Sequence, residues 1–265
     1  MRYRSGVRLW IVRALAVAGL ALLGWLLHAV LAPRGLAWIV WTLGGLVAAF
    51  FVLELALRAH ESRTRDRDEE RWRRALDDPP ARRSAIAELR RRIDRARRLG
   101  RRTRVEHARL ATILAELLLA DAQHEQAIAT LAKVPVDELG PIEAAVVRHA
   151  RAQAYLAAGD AEGAETVLRP IERTGHDVLD VSIALARAAA RLARGDADGA
   201  EAIARGLEGQ RDEELRGEAR AIVAACLLAK GDAVAARALV ETLDAELRRR
   251  LSLVGPAALR EVLAA

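Results

Sequence analysis

The 265-residue chain has one cysteine, Cys226, and aromatic residues make up only 3% of it. One cysteine excludes a disulfide within the chain. Its place in the apolar run Ala221 to Leu228 points to a buried, inert thiol, because a reactive thiol needs an exposed, electropositive setting. All five tryptophans precede residue 73, so whatever core forms beyond that point is built from Ala, Leu, Val and Ile. Lysine is nearly absent: Lys133 and Lys230 stand among 42 basic residues, and with the abundance of alanine this is the usage of a GC-rich bacterial genome. The histidines His60, His107, His124, His149 and His176 are dispersed, and His124-Glu125 has no second histidine at metalloprotease spacing. A Gly-rich phosphate loop, a nucleophile elbow and a dinucleotide fingerprint are missing too. Neither an enzyme nor a bound cofactor or metal is expected.

Charge and hydropathy divide the chain into three parts. Residues 1–57 carry five Arg and one Glu on an apolar background, and residues 58–104 carry eighteen Arg against nine acids. Residues 105–265 are net acidic, at −7, so the overall +6 comes from the first two parts. Within the first part, Leu9–Leu31 is interrupted only by Arg13 and His28, and Leu36–Leu57 only by Glu54. Either run, wound as a helix, crosses a hydrocarbon core of about 30 Å. Ala32-Pro33-Arg34-Gly35 between them is a tight turn, which predicts an antiparallel transmembrane hairpin. Arg2, Arg4, Arg8 and Arg13 precede it and Arg58, Arg63, Arg65 and Arg67 come after it, against Arg34 alone in the turn. By the positive-inside rule both ends, and everything after them, face the cytoplasm of a bacterial inner membrane. Gly44, Gly45, Ala48 and Ala49 allow close helix approach, either within the hairpin or between copies in a homo-oligomer.

Residues 58–104 predict an Arg-rich helical stalk, broken at Asp77-Asp78-Pro79-Pro80. The helix after the break has one apolar stripe, Ile86, Leu89, Ile93 and Ala96, suited to packing as a leading cap on the chain beyond residue 105. Its remaining surface holds Arg90, Arg91, Arg92, Arg97 and Arg98, with Arg101 and Arg102 beyond Gly100. Basic residues this close to a span are drawn to anionic membrane lipid by roughly 1 kcal/mol each. Lipid contact or a topology signal is the leading reading, a plain solvated face the next. Nucleic acid comes last, since no helix-turn-helix, zinc ligand set or aromatic RNA-binding motif accompanies the charge.

Beyond residue 105 the chain repeats. Ala115, Ala152, Ala188 and Ala224 form one column and Ala127, Ala164, Ala200 and Ala236 another, with steps of 37, 36 and 36 residues in both. Between the columns lies Gly159-Asp160, Gly195-Asp196 and Gly231-Asp232, with Ala122 in the corresponding place of the first copy. A fixed period of helix, break and helix predicts an all-α solenoid over 105–265, closed by a short capping helix from Ala257 to Leu263. Gly255-Pro256 ends the long helix before it.

The Gly-Asp-x-x-x-Ala openings at Gly159, Gly195 and Gly231 resemble the start of the second helix of a tetratricopeptide repeat, and Leu118, Tyr155 and Leu227 stand at that family's large position in the first helix. The period exceeds the family's length of about 34, Arg191 replaces the large residue in the third copy, and Arg151 and Arg187 occupy a place that is ordinarily apolar. The resemblance implies a protein-binding groove lined by the first helices: Arg109, Thr112, Glu116, Val146, His149, Gln153, Ser182, Leu185, Ala189, Glu218, Ala221 and Ala225. The layout of two spans, basic stalk and repeats, with Val52-Leu53-Glu54-Leu55-Ala56-Leu57-Arg58 leaving the second span, is also similar to membrane-bound repeat proteins associated with haem biosynthesis, whose loop between spans is longer. The function expected is a membrane-anchored scaffold recruiting a protein partner. A self-associating membrane organiser and a lipid- or nucleic-acid-binding regulator are the alternatives.

Overall fold

The computed structural model describes residues 70–98 and 104–264, with Val52, Arg67 and Asp68 besides. The chain divides into two units, Met1–Arg71 and Trp72–Ala265. Both predicted spans, Val52 apart, and the turn between them lie outside the described residues, as do Arg101 and Arg102 and the side chains of Arg97 and Arg98. Among the described residues no helix is long and apolar enough to cross a membrane.

In the second unit every regular element among the described residues is helical. After a helical stretch over 72–77 come α1 (Pro79–Arg98), α2 (Arg104–Ala120), α3 (His124–Ala132), a 3-10 turn (Val136–Glu138), α4 (Pro141–Ala157) and α5 (Ala161–Leu168). They are followed by α6 (Asp177–Ala193), α7 (Ala197–Leu207), α8 (Glu213–Ala229), α9 (Ala233–Glu241), α10 (Ala245–Val254) and α11 (Ala257–Ala264). The pairs α2/α3, α4/α5, α6/α7 and α8/α9 are the four sequence copies, each a helical hairpin packed on the next. The alanine columns explain the close packing. All eight residues are at most 2% exposed, and a side chain no larger than a methyl lets the two helices of a hairpin meet at that point.

The turn between the helices of each copy uses one device. Gly159, Gly195 and Gly231 have φ of 82°, 85° and 88°, the left-handed region where a Cβ is unfavourable. The next amide then reaches back to the large position of the first helix: Asp160 N to Tyr155 O at 2.9 Å, Asp196 N to Arg191 O at 3.0 Å and Asp232 N to Leu227 O at 2.9 Å. Each aspartate at once caps the following helix, its carboxylate accepting from the amide of Gly163, Gly199 or Ala235. In the first copy Ala122 takes the same conformation at φ 56°, and Gln123 supplies the amide to Leu118 O at 2.8 Å but no side-chain cap.

The arginines at ordinarily apolar places have a structural role. Arg151 Nη2 donates to Leu131 O at 2.7 Å, and Arg187 Nη2 donates to Ile171 O at 2.7 Å and Leu168 O at 3.2 Å. Each thereby closes the carbonyl end of the preceding short helix, where positive charge is favoured. A second repeated contact joins neighbouring copies: Arg194 pairs with Glu165, and 36 residues on Lys230 pairs with Glu201 at 2.6 Å.

Helix α1 packs on α2 with Ile86, Leu89, Ile93 and Ala96 all buried, so this segment belongs to the same compact unit as the repeats. Arg82, 6% exposed, ties the join: it donates to the carbonyls of Ala75, Leu76 and Ala120 and lies 3.7 Å from Asp121.

The carboxyl end departs from the expectation of one long helix and a short cap. The helix stops at Glu241 and a new one begins at Ala245, because Asp244 accepts from the amides of Glu246 and Leu247. Helix α10 then packs against α8 and returns to α2, and after the predicted Gly255-Pro256 break α11 packs against α6, α8 and α9. Leu247, Leu251, Leu259 and Val262 are buried in this arrangement. Arg249 pairs with Asp77 at 3.0 Å, Arg250 pairs with Glu214, and Arg260 Nη2 donates to Ala157 O at 2.6 Å. The last two helices therefore fold back across the repeats.

Candidate protein-binding face

The long helix of each copy presents a helical stripe in register with the others: Val105, Arg109, Thr112 and Glu116 on α2; Ile142, Val146, His149 and Gln153 on α4; Val178, Ser182, Leu185 and Ala189 on α6; Glu214, Glu218, Ala221 and Ala225 on α8. Exposure along the stripes is graded. At the amino-terminal end Val105, Ile142, Val146 and Val178 are 52%, 46%, 38% and 49% exposed, which is unusual for large aliphatics. Farther along, Leu185 and Ala189 are each 2% exposed, Ala221 is fully buried and Ala225 is 5% exposed. The family resemblance puts Leu185 in the groove lining, and the structure places it in the core instead. The face is open at one end of the helices only.

On α8 helix α10 lies beside the open end and leaves Glu214 half exposed. Glu214 is paired with Arg250 of α10, and a Cβ at Gly217 would run into Cδ2 of Leu247. Glycine there lets α10 lie against α8.

Several polar members of the face bond close to home. Arg109 donates twice to Glu106 at 3.0 Å, Thr112 Oγ1 to Ala108 O at 3.0 Å, and Ser182 Oγ to Val178 O at 2.9 Å. Gln153 Nε2 lies 3.4 Å from His149 Nε2. Burial holds the His149 imidazole down at about 4, a shift only partly offset by the Ser182 backbone, so it is neutral at pH 7. Glu218 is shifted the other way: burial, with the nearby Asp212 carboxylate adding to it, pushes its carboxyl up to about 7. A face of aliphatic side chains, a neutral imidazole and locally bonded hydroxyls recognises by shape and burial more than by charge-assisted hydrogen bonds.

Sequence reasoning misses Val105, Ile142 and Val178, although they recur at steps of 37 and 36 like the alanine columns. They stand one turn ahead of the positions that the family resemblance supplies, and at a helix start an apolar residue reads as the beginning of the core stripe.

The basic residues of α1 divide by what holds them. Arg90 Nη2 donates to Gln126 Oε1 of α3 at 2.6 Å, and Arg92 lies over the Trp72 ring, 5.8 Å from its centroid, with Glu88 3.8 Å away. Arg91 is exposed and donates to Ala87 O of its own helix at 3.4 Å. Arg90 and Arg92 thus have partners within the unit, and Arg90, like Arg91, stays exposed. Cys226 is fully buried, and burial, followed by Glu201, pushes its thiol up to about 11, well away from thiolate chemistry at neutral pH. Comparison with protein-family models, with curated proteins and with solved structures finds no match to this chain.

Proposed function

We propose that the chain is a scaffold anchored at the cytoplasmic face of a bacterial inner membrane by its two-span hairpin, and that tetratricopeptide-like repeats recruit a protein partner there. The observation that carries the recruiting role is the exposed row Val105, Ile142 and Val178, which recurs in the first three copies, with Val146 one turn on from Ile142. An aliphatic row of this kind on an otherwise well-packed unit marks an interaction surface. The membrane role rests on the two apolar runs and the arginine asymmetry around them.

A photo-crosslinking residue at Val146, with a control at the exposed Ala202 on α7, tests the reading in native membranes. One foreign protein captured from Val146 and not from Ala202 is the expected outcome and identifies the partner. Capture of the chain itself from Val146 would instead favour a self-associating organiser.

A further inference from the structure

The fold already shows what kind of element this face accepts. On α8 it is met by α10, an amphipathic helix with Leu247 and Leu251 buried on one side and Arg249 and Arg250 among its remaining residues. Leu247 sits against Gly217, and Arg250 pairs with Glu214, the residue in register with Val105, Ile142 and Val178. Helix α10 goes on to α2, and α4 and α6, which carry Ile142, Val146 and Val178, stand between those two in the array. The open row therefore adjoins, at Glu214, an interface that the chain has already built with a basic amphipathic helix.

Charge favours the same kind of occupant. All four long helices have carboxylates in their first turns: Glu106 on α2, Glu143 on α4, Asp177 and Asp180 on α6, Glu213 and Glu214 on α8. Glu106 and Glu213 are met by Arg109 and Arg216 of their own helices and Asp180 by Thr174 and Gly175, so the negative potential beside the aliphatic row comes from Glu143 and Asp177, on either side of the α4–α6 boundary. On α8 Glu214 is met by Arg250.

We infer that the partner presents a basic amphipathic helix, chemically like α10, that docks beside α10 on Val105, Ile142, Val146 and Val178. The inference rests on the scaffold reading and names its ligand class. Leucines spaced four apart would bury the aliphatic row, and arginines on the flanks would meet the first-turn carboxylates, as in helix-in-groove recognition.

The test uses the full chain in detergent micelles and, as probe, a fluorescent peptide of residues 244–256, read by anisotropy. Saturable binding is expected, weakened at least tenfold by Ile142→Asp with Val178→Asp and unchanged by Val234→Asp. All three positions are exposed, at 46%, 49% and 84%, so the helices they stand on do not depend on them. A peptide with its three arginines replaced by glutamate should not bind. Absence of saturable binding, or equal weakening by Val234→Asp, overturns the inference. Binding that ignores Ile142 and Val178 but is lost with Glu214→Arg means the peptide displaces α10, and this also overturns it. Dissociation of an oligomer by the peptide identifies the occupant as a second copy, against a foreign partner. Capture of a foreign protein at Val146 together with a failed peptide leaves the scaffold standing without this ligand class. Self-capture at Val146 removes the scaffold itself.

Discussion

At the scale of single residues, the two strongly shifted groups on the candidate face act in opposite directions with pH. Glu218 titrates near 7 in the fold against an ordinary 4.5, so the unfolded chain releases its proton first. Its buried carboxyl consequently lowers stability progressively as pH rises from 4.5 to 7, and fully above that. His149 titrates near 4 against 6.5, so the folded state is penalised as pH falls through that window. The expected outcome is that Glu218→Gln is more stable than the parent at pH 8 and indistinguishable from it at pH 4, in chemical denaturation followed by circular dichroism. A constant difference across that range would mean that Glu218 titrates in the fold where it does in the unfolded chain. Its carboxyl would then not be desolvated by the face around it.

At the scale of the element, the four turns make a natural substitution series. Three copies have Gly-Asp, and the first has Ala122 at φ 56° followed by Gln123 without a side-chain cap. Ala122→Gly removes a left-handed Cβ and should stabilise by about 1 kcal/mol, and adding Gln123→Asp should contribute about another 1 kcal/mol through the cap. The reverse change, Gly195→Ala with Asp196→Ala, should destabilise by a similar sum; the denaturation midpoints of the two double variants should move to opposite sides of the parent's. This much is readable in the sequence because turn chemistry is local. The Gly-Asp pairs, the alanine columns and the Ile86–Ala96 stripe each act through near neighbours. The hidden part is long-range. Arg151 and Arg187 look like departures from a family pattern because the carbonyls they close lie at or just past the end of a helix 16 to 20 residues earlier. The break at Thr242–Asp244 rests on a single Asp cap, easily passed over inside a run of good helix formers. Position alone assigns Leu185 to a groove, since no local signal distinguishes a helix face that will be covered from one that will stay open.

At the scale of the whole second unit, the return of α10 to α2 joins the two ends of the repeat array. In an array with neighbour contacts only, a lesion in the last copy is felt in the last copy. Here Leu251→Ala, a cavity in α10 costing about 2–5 kcal/mol, should also raise amide exchange in α2, well over a hundred residues earlier. Faster exchange restricted to α8–α11 would show that the ends are not coupled. The pairing of Arg249 with Asp77, across 172 positions of sequence, makes the same join on the surface. It also bears on how such a chain can change over generations. Repeat proteins commonly grow and shrink by duplicating or losing a unit, since each added hairpin finds the same neighbour surface as the last. A fifth hairpin inserted here would carry Arg249 and Leu251 away from the residues they meet. The number of copies is thus a fixed dimension of this fold, and its variation is confined to side chains and linkers.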